Sequence, residues 1–442
     1  MNRRQFLAVA GAWTCAAAAD ARLGAQAAEP ADVTLRIGET TLDLGPKRSV
    51  RTLAYNGQIP GPLLRARRGQ RVVVDVVNDA NSRDIVHWHG FHIPPEVDGA
   101  YDEGTPGVEP HSRQRYEFVA APAGTRWYHS HEMPMRDLTK GTYTGQFGMF
   151  IVEDGNDPGA YDLEVPLLIH EWEPRFTRTG PLDVEFRAGS INGKMLGHGE
   201  PVRVRAGQRA LLRIVNASAT LEHRLGFAGH IFRVIALDGN PVPRPTPVRV
   251  LDLAPGERVD AIVEMNNPGV WVFGDESDEQ RAAGLGIVVE YAGRSGGPRW
   301  SPPGPFPWDY AVFASPETAS EPDERLRLVI KAKEDGHHWM INGQSWPKID
   351  PIVVREGRRY RWTIDNQSAN AHPVHLHRHT FEVVRVADTP MSRLMKDVVV
   401  VPAWREVEID VRADQPGLSL FHCHQQFHMD MGFMTMMKYQ SA

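Results

Sequence analysis

One arrangement of residues occurs three times in this chain, and it restricts the available folds more than any other feature. Asn56-Gly57 is followed by Gly69-Gln70-Arg71 and, after a Val-rich run, by Asn78. The same order returns as Asn192-Gly193, Gly207-Gln208-Arg209 and Asn216, and again as Asn342-Gly343, Gly357-Arg358-Arg359 and Asn366. The last two landmarks stand nine residues apart in every copy. A fixed internal spacing means one supersecondary plan used three times. The 442 residues leave each copy the ~100–150 residues of an ordinary domain.

Between the landmarks the residues alternate as strands do. Tyr360, Trp362 and Ile364 are interleaved with Arg361, Thr363 and Asp365, and Val72, Val74 and Val76 show the same period of two. Turn residues recur throughout and long helical periodicity is rare. Each copy is therefore expected to be a β-sandwich with Greek-key connections, making the chain all-β. The stretch from Gly293 to Pro322, rich in Pro, Gly and Ser, reads as a linker. The expected layout is a leader over 1–27, domains over 28–158 and 159–292, the linker over 293–322, and a third domain over 323–442.

Arg3-Arg4-Gln5-Phe6-Leu7, an Ala-rich stretch and Ala25-Gln26-Ala27 have the form of a twin-arginine export signal with a small-residue cleavage site. That route carries folded proteins, so it suits an enzyme loaded with its cofactor before export. The expectation is a periplasmic or secreted monomer that engages the twin-arginine machinery. Trp13-Thr14 before Cys15 make a poor lipoprotein box, and no apolar run reaches the ~18–20 residues of a membrane span, so no membrane anchor is expected. A net charge of −6 argues against nucleic acid as a partner. Removing the leader leaves Cys423 as the one cysteine, which excludes an internal disulfide. A lone thiol in an oxidising compartment points to a metal.

Eight of the 19 histidines form four His-x-His pairs: His87/His89, His129/His131, His375/His377 and His422/His424. On a strand, residues two apart share a face, so each pair can present two imidazoles together. Imidazole suits copper, zinc, iron and nickel. A single pair could be a surface feature; four pairs, two near each end of the chain, point to a metal cluster. Cys423 lies between His422 and His424, and alternation sends its sulfur to the opposite face. A thiolate with two imidazoles is the trigonal blue-copper set, with His372 and His428 as the remaining donors. A short covalent route would then join that copper to metals held by the neighbouring histidines.

The three copies retain these groups unequally. In the first, Asp84 and Ser130 stand where the third has His372 and Cys423. In the second, Gly226 and Ala228 replace one pair and Gly274-Asp275-Glu276 replaces His-Cys-His, while His223 survives. The second copy reads as a spacer, and the eight paired imidazoles are expected to meet between the first and third.

His87-Trp88-His89-Gly90, Trp127-Tyr128-His129-Ser130-His131, His372-Pro373-Val374-His375-Leu376-His377 and His422-Cys423-His424 with His428 together resemble the multicopper oxidases, as seen in laccases, in order and spacing over the whole mature chain. The resemblance implies three cupredoxin-like domains and four copper ions. It places His87 and His375 on a type 2 copper and His89, His129, His131, His377, His422 and His424 on a type 3 pair. It places His372, Cys423 and His428 on a type 1 copper. It implies that a small-molecule or metal-ion reductant gives single electrons to type 1 copper, which pass through Cys423, His422 and His424 to a cluster that reduces dioxygen to water. It also implies that Asp98 relays protons, although Asp98-Gly99 would serve equally as a turn pair. The axial position, ten residues after Cys423, is often Met in bacterial members; here it is Phe433, which cannot bind and should raise the potential. Met434 is adjacent, and a one-residue bulge would bring its sulfur in. Met133, Met135, Met429, Met431, Met434, Met436 and Met437 are expected to fill core gaps. The alternative is a thioether path for Cu(I), which would make the chain a metallo-oxidase for Cu(I) or Mn(II) rather than an oxidase of phenols and aromatic amines. A copper-free cell-envelope scaffold is the remote third reading, set aside because every expected ligand is present.

Overall fold

The computed structural model describes residues 29–155, 160–177, 184–334 and 338–440; the twin-arginine segment, Cys15 and His337 lie outside them. Within these residues the chain is built of strands, with three short helices. Each unit is a two-sheet, cupredoxin-like sandwich. In the first unit, one sheet runs Arg48–Tyr55, Val33–Gly45, Arg71–Asn78, Arg113–Val119, and the other Leu64–Arg67, Phe147–Glu153, Gly124–Ser130, Val86–His89. The second and third units each pair a six-stranded with a five-stranded sheet, and their strand orders correspond one to one.

The repeated landmarks explain why the plan recurs. Asn56-Gly57, Asn192-Gly193 and Asn342-Gly343 all take positive φ at both positions, the left-handed pair that a type I′ turn demands and that Asn and Gly tolerate. Each Asn side chain then clamps the unit's first strand. Asn192 Oδ1 accepts from Leu168 N at 2.9 Å while its Nδ2 donates to Pro166 O at 2.9 Å. Asn56 does the same with Arg36 N and Thr34 O, and Asn342 with Val329 N and Arg327 O. The last landmark is a buried asparagine. Asn78, Asn216 and Asn366 are fully buried, and each Nδ2 donates to carbonyls of two separated segments, Ser82 and Val108 for Asn78, Leu221 and Leu253 for Asn216. A buried amide must be satisfied in this way, so the residue fixes the crossing between the sheets.

The parallel pairing of the first strand with the landmark strand, Val33–Gly45 with Arg71–Asn78, recurs as Leu163–Trp172 with Arg209–Asn216 and as Glu324–Ala332 with Arg359–Asn366. The first unit has its own core around Trp88, Tyr116, Tyr128 and Phe150, whereas the second and third share one continuous core. The stretch 293–322 carries one 3₁₀ turn, Tyr310–Val312. It is packed rather than a free tether: Tyr310, Phe313 and Ala314 are buried in the shared core. Among the described residues no helix is long and apolar enough to cross a membrane.

Candidate metal centre

Strand register brings the histidines together. The edge strand Val86–His89 carries His87 and His89 and pairs with Gly124–Ser130, setting His87 opposite His129. In the third unit His372–Leu376 pairs with Leu418–Cys423, setting His375 opposite His422 and Val374 opposite Cys423. The two half-sites then face each other. His87 stacks on His377 and His89 on His375, both with ring centroids 3.9 Å apart, and His131 stands 5.1 Å from His422.

The donors fall into compact buried sets. His89, His129 and His424 have ligand atoms within 4.8 Å of one another, as do His131, His377 and His422. His87 completes similar sets with His89 and His375, and with Asp98 and His377. The outward ring nitrogens are tied down. His87 Nδ1 donates to Asp98 O at 2.9 Å, His375 Nδ1 to Asp397 O at 2.7 Å, His129 Nδ1 to Ser130 O at 2.9 Å and His422 Nδ1 to Cys423 O at 2.9 Å. A tautomer fixed at Nδ1 leaves the Nε2 lone pair free. His87, His129, His131 and His375 each bury an Nε2 with no hydrogen-bond partner. Four orphaned imidazole nitrogens among these sets would cost several kcal/mol if nothing bound them, so the donor set fits metal ions. Burial, followed by the neighbouring imidazoles, holds His89, His129, His131, His375 and His422 far below the ordinary histidine range, and lowers His377 to about 4 and His424 to about 3. All are neutral at pH 7, as ligands must be.

Cys423 belongs to a separate three-donor set. Its Sγ lies 3.7 Å from His372 Nδ1 and 3.6 Å from His428 Nδ1, and those nitrogens are 3.2 Å apart. His428 sits on the short helix Gln426–Asp430, one turn past the strand that ends at Cys423. Burial pushes the Cys423 thiol far above its usual range, so a thiolate here requires a cation. Ser368 Oγ is hydrogen-bonded to His372 Nε2 at 2.9 Å and orients the ring. Trp339 covers both imidazoles at 4.5 and 4.6 Å. The Phe433 ring stands 5.0 Å from that of His372. Met434 packs elsewhere, with Ala100, Leu420, Met429 and Met436, and it pairs in regular register with His422 rather than in a bulge.

Asp98 is buried, its Oδ2 accepting from His377 Nδ1 at 2.8 Å. Burial would raise this carboxyl, but the adjacent His87 and His377 outweigh it and hold it well below the carboxylate range. Glu103 was not singled out in the sequence. It is buried 3.5 Å from His377 Nδ1, and its Oε1 accepts from Leu420 N at 2.6 Å. Burial and then the charge of Asp98 push it up. His92 and His379 belong to none of the donor sets among the described residues; His92 is bonded to Thr380 Oγ1, and His379 to His377 O and Tyr439 OH.

The equivalent places in the other units hold no thiolate. In the first, Ser130 Oγ donates to Asp84 Oδ1 at 2.7 Å. In the second, His223 Nδ1 meets Asp275 Oδ2 at 2.9 Å while its Nε2 bonds Glu171, which also accepts from Ser218. Burial works against charge on this ring, yet the two carboxylates carry His223 up to about 9. A proton between two anions stands where the third unit has its thiolate set.

Three family models, each described as multicopper oxidase, match residues 36–157, 170–290 and 320–442. Multicopper oxidase MmcO of Mycobacterium tuberculosis is 29% identical, the match covering 97% of this chain and 91% of that one. Laccase-3 of Thanatephorus cucumeris is 24% identical over 86% of this chain and 85% of that one. Among solved structures, the multicopper oxidase from Pseudomonas thermotolerans is 26% identical with a TM-score of 0.74, covering 93% of this chain and 100% of that one.

Proposed function

The chain belongs to the multicopper oxidase family, copper oxidoreductases that use dioxygen as acceptor, and from that premise we propose a laccase-like enzyme that takes electrons from phenols or aromatic amines. In this reading His372, Cys423 and His428 hold a type 1 copper. His87 and His375 hold a type 2 copper, and His89, His129, His131, His377, His422 and His424 hold a type 3 pair, four ions in all. Bound there, copper supplies one-electron transfer from the reductant and four-electron reduction of dioxygen.

One observation carries the proposal. Cys423 joins one three-donor set, while its chain neighbours His422 and His424 join two others, so adjacent peptide units link all three. The protein's own groups set geometry and protons. Asp98 Oδ2 holds the Nδ1 proton of His377 and is assigned the proton relay. The Phe433 ring stands 5.0 Å from that of His372 and carries no donor atom, so a copper held by His372, Cys423 and His428 would gain no fourth donor from residue 433, which would favour its reduced state. Export by the twin-arginine route as a monomer without a membrane anchor completes the reading.

A metallo-oxidase acting on Cu(I) or Mn(II) is the second reading. Met135 favours it: the residue is 46% exposed and its N–H donates to Asp430 on the helix that carries His428. Against it, Met429, Met434 and Met436 are buried together with Ala100 and Leu420, as packing residues are. Oxygen uptake by the copper-loaded protein, with a simple phenol and with Cu(I) as rival reductants, separates the two. Faster turnover on the phenol supports the laccase-like reading, and faster turnover on Cu(I) overturns it.

A further inference from the structure

We infer that the middle domain, which supplies no donor to any of the metal-binding sets among the described residues, positions the trinuclear histidines through Arg258 and Asp397. The inference rests on the reading of His89 and His375 as copper ligands.

Asp397 touches one imidazole from each half-site. Its carbonyl accepts from His375 Nδ1 at 2.7 Å, and its Oδ1 lies 3.1 Å from His89 Nε2. These two rings stack with an interplanar angle of 10°. The middle domain grips Asp397 at both side chain and backbone. Arg258 Nη1 and Nη2 donate to its Oδ1 and Oδ2 at 2.5 and 2.6 Å, and Asp238 Oδ2 accepts from the backbone N–H groups of Asp397 and Val398 at 3.2 and 3.1 Å. Asp397 and Arg258 are both 0% exposed.

Close packing points the same way. A Cβ on Gly90, next to His89, would lie 2.6 Å from Arg258 Nη2 and 2.8 Å from Asp397 Oδ2. A Cβ on Gly256, two residues before Arg258, would lie 2.6 Å from the His424 ring. The same middle-domain loop therefore abuts a third imidazole. The surrounding charges balance: Asp397, Asp238 and Glu257 face Arg258, Arg126 and Lys396. Buried ion pairs of this kind contribute little net stability over apolar packing. What a bidentate guanidinium–carboxylate pair does supply is fixed orientation, and partners behind metal-ligating histidines typically control affinity and activity by about 10–100-fold.

The test uses the full-length copper-loaded enzyme and the variants Arg258→Gln and Arg258→Lys. Copper per chain, type 1 absorption, the anaerobic rate of type 1 bleaching by a phenol, and the type 2 paramagnetic resonance signal are measured. Arg258→Gln is expected to lose cluster copper and about tenfold or more in oxygen turnover, with type 1 absorption and bleaching unchanged and the type 2 signal altered. Arg258→Lys, which keeps the charge and loses the fork, is expected to recover part of the cluster copper. Asp397→Asn serves as the independent variant should Arg258→Gln fail to fold, with the same pattern expected. Full cluster copper and wild-type turnover in Arg258→Gln would overturn the inference. So would loss of type 1 and cluster copper in parallel, which would make the pair a general structural element. A wild-type chain that takes up type 1 copper alone would overturn the ligand reading beneath it.

Discussion

Replacing His223 by Gln removes the cation that bridges two buried carboxylates, Asp275 and Glu171, and the structure fixes what this should do. His223 is fully enclosed, bonded by Asp275 on one side and Glu171 on the other. Desolvation opposes its charge, but the carboxylates raise the ring from its usual 6.5 to about 9. Because the folded value lies above the unfolded one, the stabilisation is complete below about pH 6.5 and is lost as the pH rises through about 9. At ~1.4 kcal/mol per tenfold, that difference amounts to about 3 kcal/mol. Removing one partner of a buried ion pair costs a comparable ~3–5 kcal/mol, since the other charges are left uncompensated. His223→Gln should therefore be less stable than the wild type by about 3 kcal/mol near pH 6, with the gap closing above pH ~9. Glu171 is shifted downward, so its own contribution disappears only in acid. Urea unfolding from pH 6 to about 10, with hydrogen exchange followed in strands Leu163–Trp172 and His223–Phe227, measures the gap and locates it. A gap that stays constant across this window, or a wild type whose stability rises through it, would mean that His223 does not carry this charge.

Two further outcomes follow from the metal centre. Phe433→Met places a thioether on the axial side of the Cys423 set and should lower the type 1 potential; an unchanged potential on redox titration would mean that residue 433 is not axial. Asp98→Asn removes the anion that accepts from His377 Nδ1 and should reduce oxygen turnover by about 10²-fold while leaving the anaerobic bleaching rate of type 1 copper unchanged; a turnover equal to the wild type's would remove Asp98 from proton supply.

Much of this molecule could be read from local pattern. The Asn-Gly turns, the buried asparagines and the period-two strands are local devices whose chemistry is written in two to nine consecutive residues. The His-x-His pairs share this property, because alternation on a strand converts spacing directly into a shared face. What could not be read depends on contacts between distant segments. Arg258 meets Asp397 across 139 positions, and neither residue carries a motif, so the middle copy looked like a spacer although it bonds Asp397 and packs on His424. Glu103 reaches Leu420 N across 317 positions and had no signal beyond being an acid soon after Asp98. Tyr310 and Phe313 lie in a stretch whose composition suggests a tether, yet both are buried in the core shared by two domains.

On this reading Cys423 supplies the sulfur ligand of one copper while the adjacent histidines hold others. Copper content and the visible and paramagnetic resonance spectra of Cys423→Ser, measured beside the wild type, test it most directly. Four coppers are expected in the wild type and three in the variant, with the blue absorption and the type 1 signal gone and the type 2 signal retained. A Cys423→Ser protein that remained blue, or that lost the three cluster coppers while keeping the type 1 signal, would contradict it.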